Sequence, residues 1–229
     1  MLFRSLPSPR GLGRLRAATI APRITFRDAS ALLGSPPFLL FLAVAATIQS
    51  SHAMMFAFGT LNWQHLGFPS STIGLLWATG VLAEVVMFAF ASAIVRRLGI
   101  ARLFWLAGSV AILRWTAMAF SPPLALVFPL QALHGITFGA AHLAAIAYMT
   151  DEVQPNLTAT AQGLYGAVVG GVALGAVTAV CGPVYTAWQG QGFLAMALVA
   201  GVGLLGSLLL SRRNQPQSAA SAGNTVAPS

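Results

Sequence analysis

The amino-acid sequence predicts an all-α integral membrane protein with six transmembrane helices. Three observations predict this class. Of the 229 residues, 57% are hydrophobic and only 7% are charged, whereas an ordinary soluble domain carries about 25% charged residues. The apolar residues fall in runs of about 20, the helix length that crosses roughly 30 Å of hydrocarbon. All but one of the positive charges cluster at alternate ends of these runs, as in multi-pass membrane proteins.

The same composition excludes several classes of protein. With 12 Arg, no Lys and 4 acidic residues, the chain cannot build the water-facing surface of a soluble enzyme or a secreted module. Intrinsic disorder needs low hydrophobicity and high charge, so it is excluded as well. The single cysteine, Cys181, excludes a disulfide framework and a cysteine-based metal cluster.

Short polar or Pro/Gly-rich stretches separate the six apolar runs. The runs are too long for barrel strands, which need only about 10 residues and alternate strictly between apolar and polar side chains. The predicted spans are about 38–61, 72–95, 101–119, 123–150, 158–184 and 190–210.

The arginines predict that both ends of the chain are cytoplasmic, because cytoplasmic loops carry the excess of positive charge. Six precede the first span, three lie between the second and third, and two follow the sixth, whereas the three opposite loops have none. They are Arg4, Arg10, Arg14, Arg16, Arg23, Arg27, Arg96, Arg97, Arg102, Arg212 and Arg213.

The two tails flank a membrane domain predicted over residues 36–211. Residues 1–35 are Arg-rich and contain no acid before Asp28, which favours a cytoplasmic linker over a targeting peptide. Residues 212–229 are rich in Asn, Gln, Ser, Ala and Pro and are interpreted as a disordered cytoplasmic tail.

Two charged residues fall deep inside apolar spans, Glu84 in the second and Arg114 in the third. A charge at the bilayer centre costs about 2.5–3.5 kcal/mol on insertion scales and normally has a partner. Both residues lie about 17–18 Å of helix from the short loop that joins their spans. We therefore expect them to reach the same depth, where they could pair. The pair could serve transport or simply fix helix packing.

Histidines and amides are predicted to join this layer. Gln49 and His52 share one face of the first span with Phe56, and Trp77 shares a face of the second with Glu84. On the fourth span, four residues fall within an arc of roughly 80°, and they are Gln131, His134, Phe138 and His142. Such convergence is typical of a water-accessible cavity. Interhelical hydrogen bonding is the alternative for the polar groups, and packing for the aromatic ones.

Small-residue repeats suited to close helix contact occur on two spans. They are Gly135-x-x-x-Gly139 on the fourth, and Gly166-x-x-x-Gly170 and Gly171-x-x-x-Gly175 on the fifth. The chain has no zinc-peptidase, intramembrane serine-protease or phosphate-loop motif. No enzyme activity, catalytic residue, metal or cofactor is therefore predicted, and a membrane enzyme is the least favoured alternative.

Several segments together resemble the C-terminal half of major facilitator transporters, in particular the phenylpropionate permease family, which is related to lactose permease and the nucleoside–proton symporters. The resemblance runs from about residue 31 to 210 and implies a six-helix half-bundle built as a 3+3 repeat. Its segments are Ser51-His52-Ala53, Thr72-Ile73-Gly74-Leu75-Leu76-Trp77, Gly80-Val81-Leu82-Ala83-Glu84-Val85, Arg114-Trp115, Leu133-His134-Gly135-x-Thr137-Phe138 and His142-Leu143-Ala144. A cytoplasmic loop with Arg96, Arg97, Gly99 and Arg102 is similar to the superfamily's Asp-Arg-x-Gly-Arg-Arg motif, with Arg96 in place of its Asp.

The resemblance implies proton-coupled uptake of a small organic anion, such as an aromatic carboxylate, across a bacterial inner or plasma membrane. Glu84 would bind the proton, Arg114 would pair with Glu84 or with the substrate carboxylate, and His134 would tune or relay. The cavity-lining aromatic residues would be Trp77, Trp115, Phe138 and Tyr165. Partners would be the lipid bilayer and a second six-helix half or a homodimer, with no nucleic acid. A non-transporting remnant of a truncated transporter gene is the alternative.

Overall fold

The structure, a computed structural model, describes the backbone of residues 25–222 and the side chains of residues 25–210. Within this part of the chain every regular element is helical, which confirms that the fold is all-α. Five helical stretches are long and apolar enough to cross a membrane, namely Pro36–His65, Ser70–Ala89, Ala91–Ala119, Leu124–Asp151 and Thr158–Leu210. Most of the predicted N-terminal tail, up to residue 24, lies outside the described residues, and so do residues 223–229.

Breaks in the helical backbone divide these stretches into shorter elements. The α-helices are α1 (Phe26–Leu33), α2 (Pro36–Ser50), α3 (Ala53–His65), α4 (Ser70–Ala89), α5 (Ala91–Ala119), α6 (Leu124–Ala132), α7 (Ala141–Asp151), α8 (Thr158–Tyr165), α9 (Leu174–Trp188) and α10 (Phe193–Ala222). A first π segment (Gly135–Ala140) interrupts the fourth span, and a second π segment (Gly166–Ala173) interrupts the fifth.

The first span forms the centre of the bundle. In its most apolar stretch 78% of the residues are buried, against 17% in α4. The span breaks at Ser51 and His52, where the backbone turns between α2 and α3. α10 packs on α2 and α5, the second π segment packs on α2, and α9 packs on α3. The break therefore lies in the most enclosed part of the protein.

The second and third spans are not packed on each other as the sequence suggested. α4 packs on α6 and the first π segment, and that π segment packs in turn on α5. The fourth span thus lies between α4 and α5. The predicted span of 72–95 is interrupted, because the helix breaks at Phe90 and resumes at Ala91. At the predicted loop the backbone of Gly99 is non-helical, with a φ of 71° that suits glycine, so two helical segments of α5 meet there. The segment that follows Gly99 agrees with the predicted span of 101–119.

The last stretch of 53 residues is too long for one crossing, since at 1.5 Å per residue it would span roughly 80 Å. The chain turns at Gln189, where φ is 46° and ψ is −127°. Leu157 and Leu210, at its two ends, line the same cavity beside Phe38. The stretch therefore folds back. The bundle has five apolar helices if this stretch is counted once, and six if its two arms are counted separately.

α10 continues to Ala222, beyond the predicted end at residue 210. Residues 212–222 of the predicted disordered tail are therefore helical in backbone.

Two apolar clusters make up the core, and the boundary between them is polar. One contains Phe41, Phe104 and Tyr148, and the other contains Trp63, Trp115 and Phe193. In the first span the clusters meet at residues 49–52, and in the fourth at residues 131–137. The polar side chains at this boundary form the candidate site.

Candidate functional site

A layer of buried polar side chains crosses the bundle where the two apolar clusters meet. We call this set the polar layer, and each of its members except Glu84 is less than 9% exposed. Glu84 is 22% exposed through its side chain. The members are Gln49, Ser51, His52, Glu84, Arg114, Gln131, His134 and Thr137. They come from the first four spans and lie together at the boundary between the two clusters.

His134 lies between the two charged residues of the layer. Its Nε2 is 2.6 Å from Oε1 of Glu84, and its Nδ1 is 3.1 Å from a terminal nitrogen of Arg114. A guanidinium can only donate hydrogen bonds, so Nδ1 must accept. A neutral imidazole then carries its proton on Nε2 and donates it to the Glu84 carboxylate. The geometry therefore assigns one tautomer to His134.

The direct Glu84–Arg114 pair that the sequence suggested is replaced by this bridge. Among the side chains of residues 25–210, the one acidic–basic contact shorter than 4.0 Å is Glu84 with His134. The physical reason is the helix order, because the fourth span separates α4 from α5. The two charges do lie at one depth, and both line the same cavity.

Arg114 is 1% exposed and is surrounded by neutral acceptors. It donates to Oε1 of Gln131 at 2.6 Å and to Oγ1 of Thr137 at 3.0 Å. Its guanidinium carbon lies 4.4 Å from the ring centre of Trp115, a cation–π contact. Its Nε has no hydrogen-bond partner. Since burying a cation is costly without an opposite charge, this environment favours an anion close to Arg114.

Thr137 connects the Arg114 contacts to the break in the first span. His52 Nδ1 lies 3.1 Å from the carbonyl oxygen of Gln49 and must donate to it, because that oxygen can only accept. His52 Nε2 then accepts from the Thr137 hydroxyl at 3.0 Å. A continuous set of hydrogen bonds therefore links Glu84 to the carbonyl of Gln49.

A cavity of about 160 Å³ adjoins the polar layer. Its polar wall comprises Glu84, Arg114, Gln131 and His134. Its apolar wall comprises Met55, Phe56, Trp77, Gly80, Val81 and Phe138. Ligand pockets typically measure about 300–1,000 Å³, so this cavity alone is smaller than a complete site.

The predicted aromatic residues divide between the cavity and its surroundings. Trp77 and Phe138 line the cavity. Trp115 directly follows Arg114 and therefore points about 100° away from it around the helix axis. Its indole nitrogen donates to Oγ of Ser51 at 3.1 Å. Tyr165 lies beside His142, with its hydroxyl 3.4 Å from Nδ1. Neither Trp115 nor Tyr165 is therefore among the cavity walls.

His142 lies further along the fourth span than the other predicted residues. Its ring is parallel to that of Phe138 at 6.2 Å, and Phe138 stacks in turn on His134 at 5.2 Å. An aromatic stack thus connects His142 to the layer. Gln49, the other residue predicted to bind, lies behind His52, and its side-chain nitrogen is 3.5 Å from the carbonyl of Phe138.

The arginines of the predicted cytoplasmic loop motif lie away from this layer. Arg96, Arg97 and Arg102 are all exposed, and they flank the kink at Gly99.

Sequence reasoning left Thr137 out of the site, although it is the residue that joins Arg114 to His52. Its position three residues after His134, on the same helical face, is the signal that could have identified it.

Comparisons with known proteins agree with these features. Residues 13–196 match the model of the MFS_1 like family. The "Probable 3-phenylpropionic acid transporter" of Escherichia coli is 34% identical over 161 residues, which are 70% of this chain and 42% of that protein. The "Maltose permease" of Geobacillus stearothermophilus is 29% identical over 216 residues, which are 89% of this chain and 55% of that protein. The "Uncharacterized transporter YwbF" of Bacillus subtilis is 25% identical over 159 residues, 69% of this chain and 39% of that protein. The chain spans about half the length of these relatives.

Proposed function

This chain belongs to the MFS_1 like family of membrane transporters, and we propose that it forms one six-helix half of a proton-coupled carrier of small organic anions. It is a multi-pass integral membrane protein. The substrate class that we propose is an aromatic carboxylate, taken up across the inner membrane of a bacterium. One relative is named as a probable 3-phenylpropionic acid transporter, which supports this class.

The observation that carries the proposal is the buried guanidinium of Arg114 at the wall of the cavity. Its hydrogen-bond acceptors are neutral groups, and its Nε is unpartnered. A carboxylate in the cavity would supply the missing negative charge, and a planar guanidinium suits a carboxylate's two oxygens. An uncharged substrate would leave the cation uncompensated.

The apolar wall of the cavity supports an aromatic substituent on that carboxylate. Phe56, Trp77 and Phe138 line the cavity beside the polar wall. Aromatic rings bind other rings through offset or edge-to-face contacts. A molecule with a ring at one end and a carboxylate at the other therefore fits the two walls.

The proton is assigned to the pair formed by Glu84 and His134. They are 2.6 Å apart, and Glu84 is 22% exposed, so it can exchange a proton with water in the cavity. Intramembrane carboxylates and histidines commonly form proton relays in transporters. Binding of the proton would change the charge beside Arg114 and so the affinity of the site for an anion.

We also propose that a second six-helix half completes the site, either as a second copy or as another polypeptide. The small volume of the cavity and the chain's share of its relatives, 39–55%, support this. α4 carries the cavity residue Glu84 and is mostly exposed. The distribution of the arginines supports cytoplasmic termini and six crossings.

Uptake by proteoliposomes under an imposed pH gradient tests the function. We expect saturable accumulation of 3-phenylpropionate, much weaker competition by 3-phenylpropionamide, and none by maltose. In the Arg114→Gln variant, other carboxylates should no longer compete with 3-phenylpropionate for uptake. Arg102 is an exposed arginine on the same helix, so Arg102→Gln is the matched control. Preference for maltose or for the amide would contradict the anion proposal.

Glu84→Gln tests the proton. We expect this variant to exchange substrate across the membrane but to lose accumulation driven by the pH gradient, whereas Glu152→Gln, at an exposed position, should behave as the wild type. Unchanged accumulation by Glu84→Gln would show that the proton role is wrong. A monodisperse monomer that binds nothing would contradict assembly and favour a non-transporting remnant.

A further inference from the structure

Thr137 has a position in the polar layer that the transport proposal does not use. It is fully buried and lies inside the first π segment. Its Oγ1 is 3.0 Å from Arg114 on α5 and 3.0 Å from His52 at the break in the first span. Two interruptions of regular helix, the π segment and the break, therefore meet at one hydroxyl group. π segments inside α-helices are frequent at functional positions.

The chemistry of the contacts requires a group that both donates and accepts. Arg114 can only donate, so Oγ1 of Thr137 must accept from it. His52 donates from Nδ1 to the carbonyl of Gln49, so its Nε2 needs a donor. A hydroxyl meets both needs with one oxygen. Valine has the shape of threonine but meets neither need, whereas serine meets both.

We propose that Thr137 is the positioning residue that couples the charge state of Glu84 and His134, through Arg114, to the break in the first span at His52. The proposal rests on the proton-coupled transport proposed above. It assigns Thr137 no contact with substrate or proton, only the placement of Arg114 and His52.

The coupling follows from the tautomer of His134. A proton added to His134 occupies Nδ1, the nitrogen that now accepts from Arg114. The two groups are then both positive and both donors, so the contact between them is lost. Arg114 keeps Thr137 and Gln131 as acceptors, and its displacement moves the hydroxyl that holds His52. The guanidinium does not release its own proton, so the signal passes as a rearrangement of hydrogen bonds.

The test compares Thr137→Val with Thr137→Ser, and uses Thr47→Val as the matched control. The Thr47 hydroxyl bonds only to carbonyls of its own helix. In proteoliposomes we expect Thr137→Val to lose pH-driven accumulation by about tenfold or more, while substrate exchange stays within about threefold of the wild type. Thr137→Ser and Thr47→Val should keep both activities.

A second readout does not depend on transport. In ¹⁵N spectra of histidine side chains, wild-type His52 should be the Nδ1–H tautomer and His134 the Nε2–H tautomer. Thr137→Val should leave His52 in the Nδ1–H form, which the Gln49 carbonyl holds, but should shift the resonance of its Nε2, which loses the hydrogen bond from the hydroxyl. Thr137→Ser should keep the wild-type signal. These spectra can be recorded on the detergent-solubilised full chain.

The outcomes separate this inference from the proposed function. Unchanged accumulation and an unchanged His52 signal in Thr137→Val would overturn the inference and leave the transport proposal intact. Equal loss of exchange and accumulation without rescue by Thr137→Ser would also overturn it, since that pattern indicates a folding role. If the wild type accumulates nothing, the transport proposal fails. A His52 in the Nε2–H form would then overturn the coupling as well.

Discussion

The fourth and fifth spans carry the same small-residue spacing but use it differently. At Gly135 an added Cβ would lie 2.6 Å from the carbonyl oxygen of Ala83, so the first π segment and α4 are in backbone contact there. At Gly166 and Gly170 an added Cβ would meet nothing within 4 Å. The motif therefore permits close approach but does not specify a partner within the chain.

The difference also separates two kinds of surface. The tight contact at Gly135 holds α4 against the fourth span, and this places Glu84 beside His134. The open glycines lie on a face that residues 25–210 leave uncovered, and that face is available to lipid or to another helix. Substitutions at glycines of both kinds test this difference.

Gly135→Ala should have the largest effect. The obstructing atom is backbone oxygen and cannot rotate away, so we expect a loss of about 1–3 kcal/mol in the free energy of unfolding. The displacement of α4 should also weaken the Glu84–His134 contact and lower pH-driven accumulation. Unfolding by SDS in mixed micelles, followed by circular dichroism, measures the stability. An unchanged unfolding curve would contradict the close contact.

Gly203→Ala should have the next largest effect, on the contact of α10 with α2. The added Cβ would lie 3.1 Å from the backbone nitrogen of Ile48, 2.5 Å from its Cγ1 and 2.8 Å from Oγ1 of Thr47. Side chains can shift but the backbone cannot, so we expect a loss of about 1–2 kcal/mol in the same unfolding assay. Transport should change less than in Gly135→Ala, because neither contact involves the polar layer. A larger transport defect than that of Gly135→Ala would contradict this order.

Gly139→Ala should have a small effect, although it belongs to the same motif as Gly135. Its nearest neighbour is Cγ of Met87 at 3.1 Å, and methionine adapts readily to changes in shape. We expect a change of less than about 1 kcal/mol in the free energy of unfolding. A loss equal to that of Gly135→Ala would show that side-chain flexibility does not decide the outcome.

Gly170→Ala should have the smallest effect on the isolated chain. Nothing obstructs the methyl group, and alanine favours helix over glycine by up to about 1 kcal/mol. We expect unchanged or slightly higher stability. Gly170→Leu separates the possible partners of this face, because a bulky side chain is tolerated by lipid but not by a closely packed helix. Loss of an oligomer with retained chain stability would indicate a protein partner.

Much of the candidate site follows from local sequence. Glu84, Arg114, His134 and Gln131 are recognisable because charges and amides are rare in apolar helices, and helical periodicity places them on common faces. Their shared depth follows from counting residues back to one loop. Thr137 was missed because threonine is ordinary in a membrane helix, and its role depends on what lies opposite. Trp115 was expected to line the cavity, but it directly follows Arg114, and adjacent residues on a helix face different directions.

Hydropathy and the 3.6-residue period act along one helix at a time, so they are enough to predict a helical membrane protein with polar groups inside its spans. Which helices are neighbours became known only from the packed bundle. The order of α4, the fourth span and α5 depends on how whole helix surfaces fit together, which no single helix encodes. That order puts His134 between Glu84 and Arg114 and packs one glycine motif while it leaves the other open.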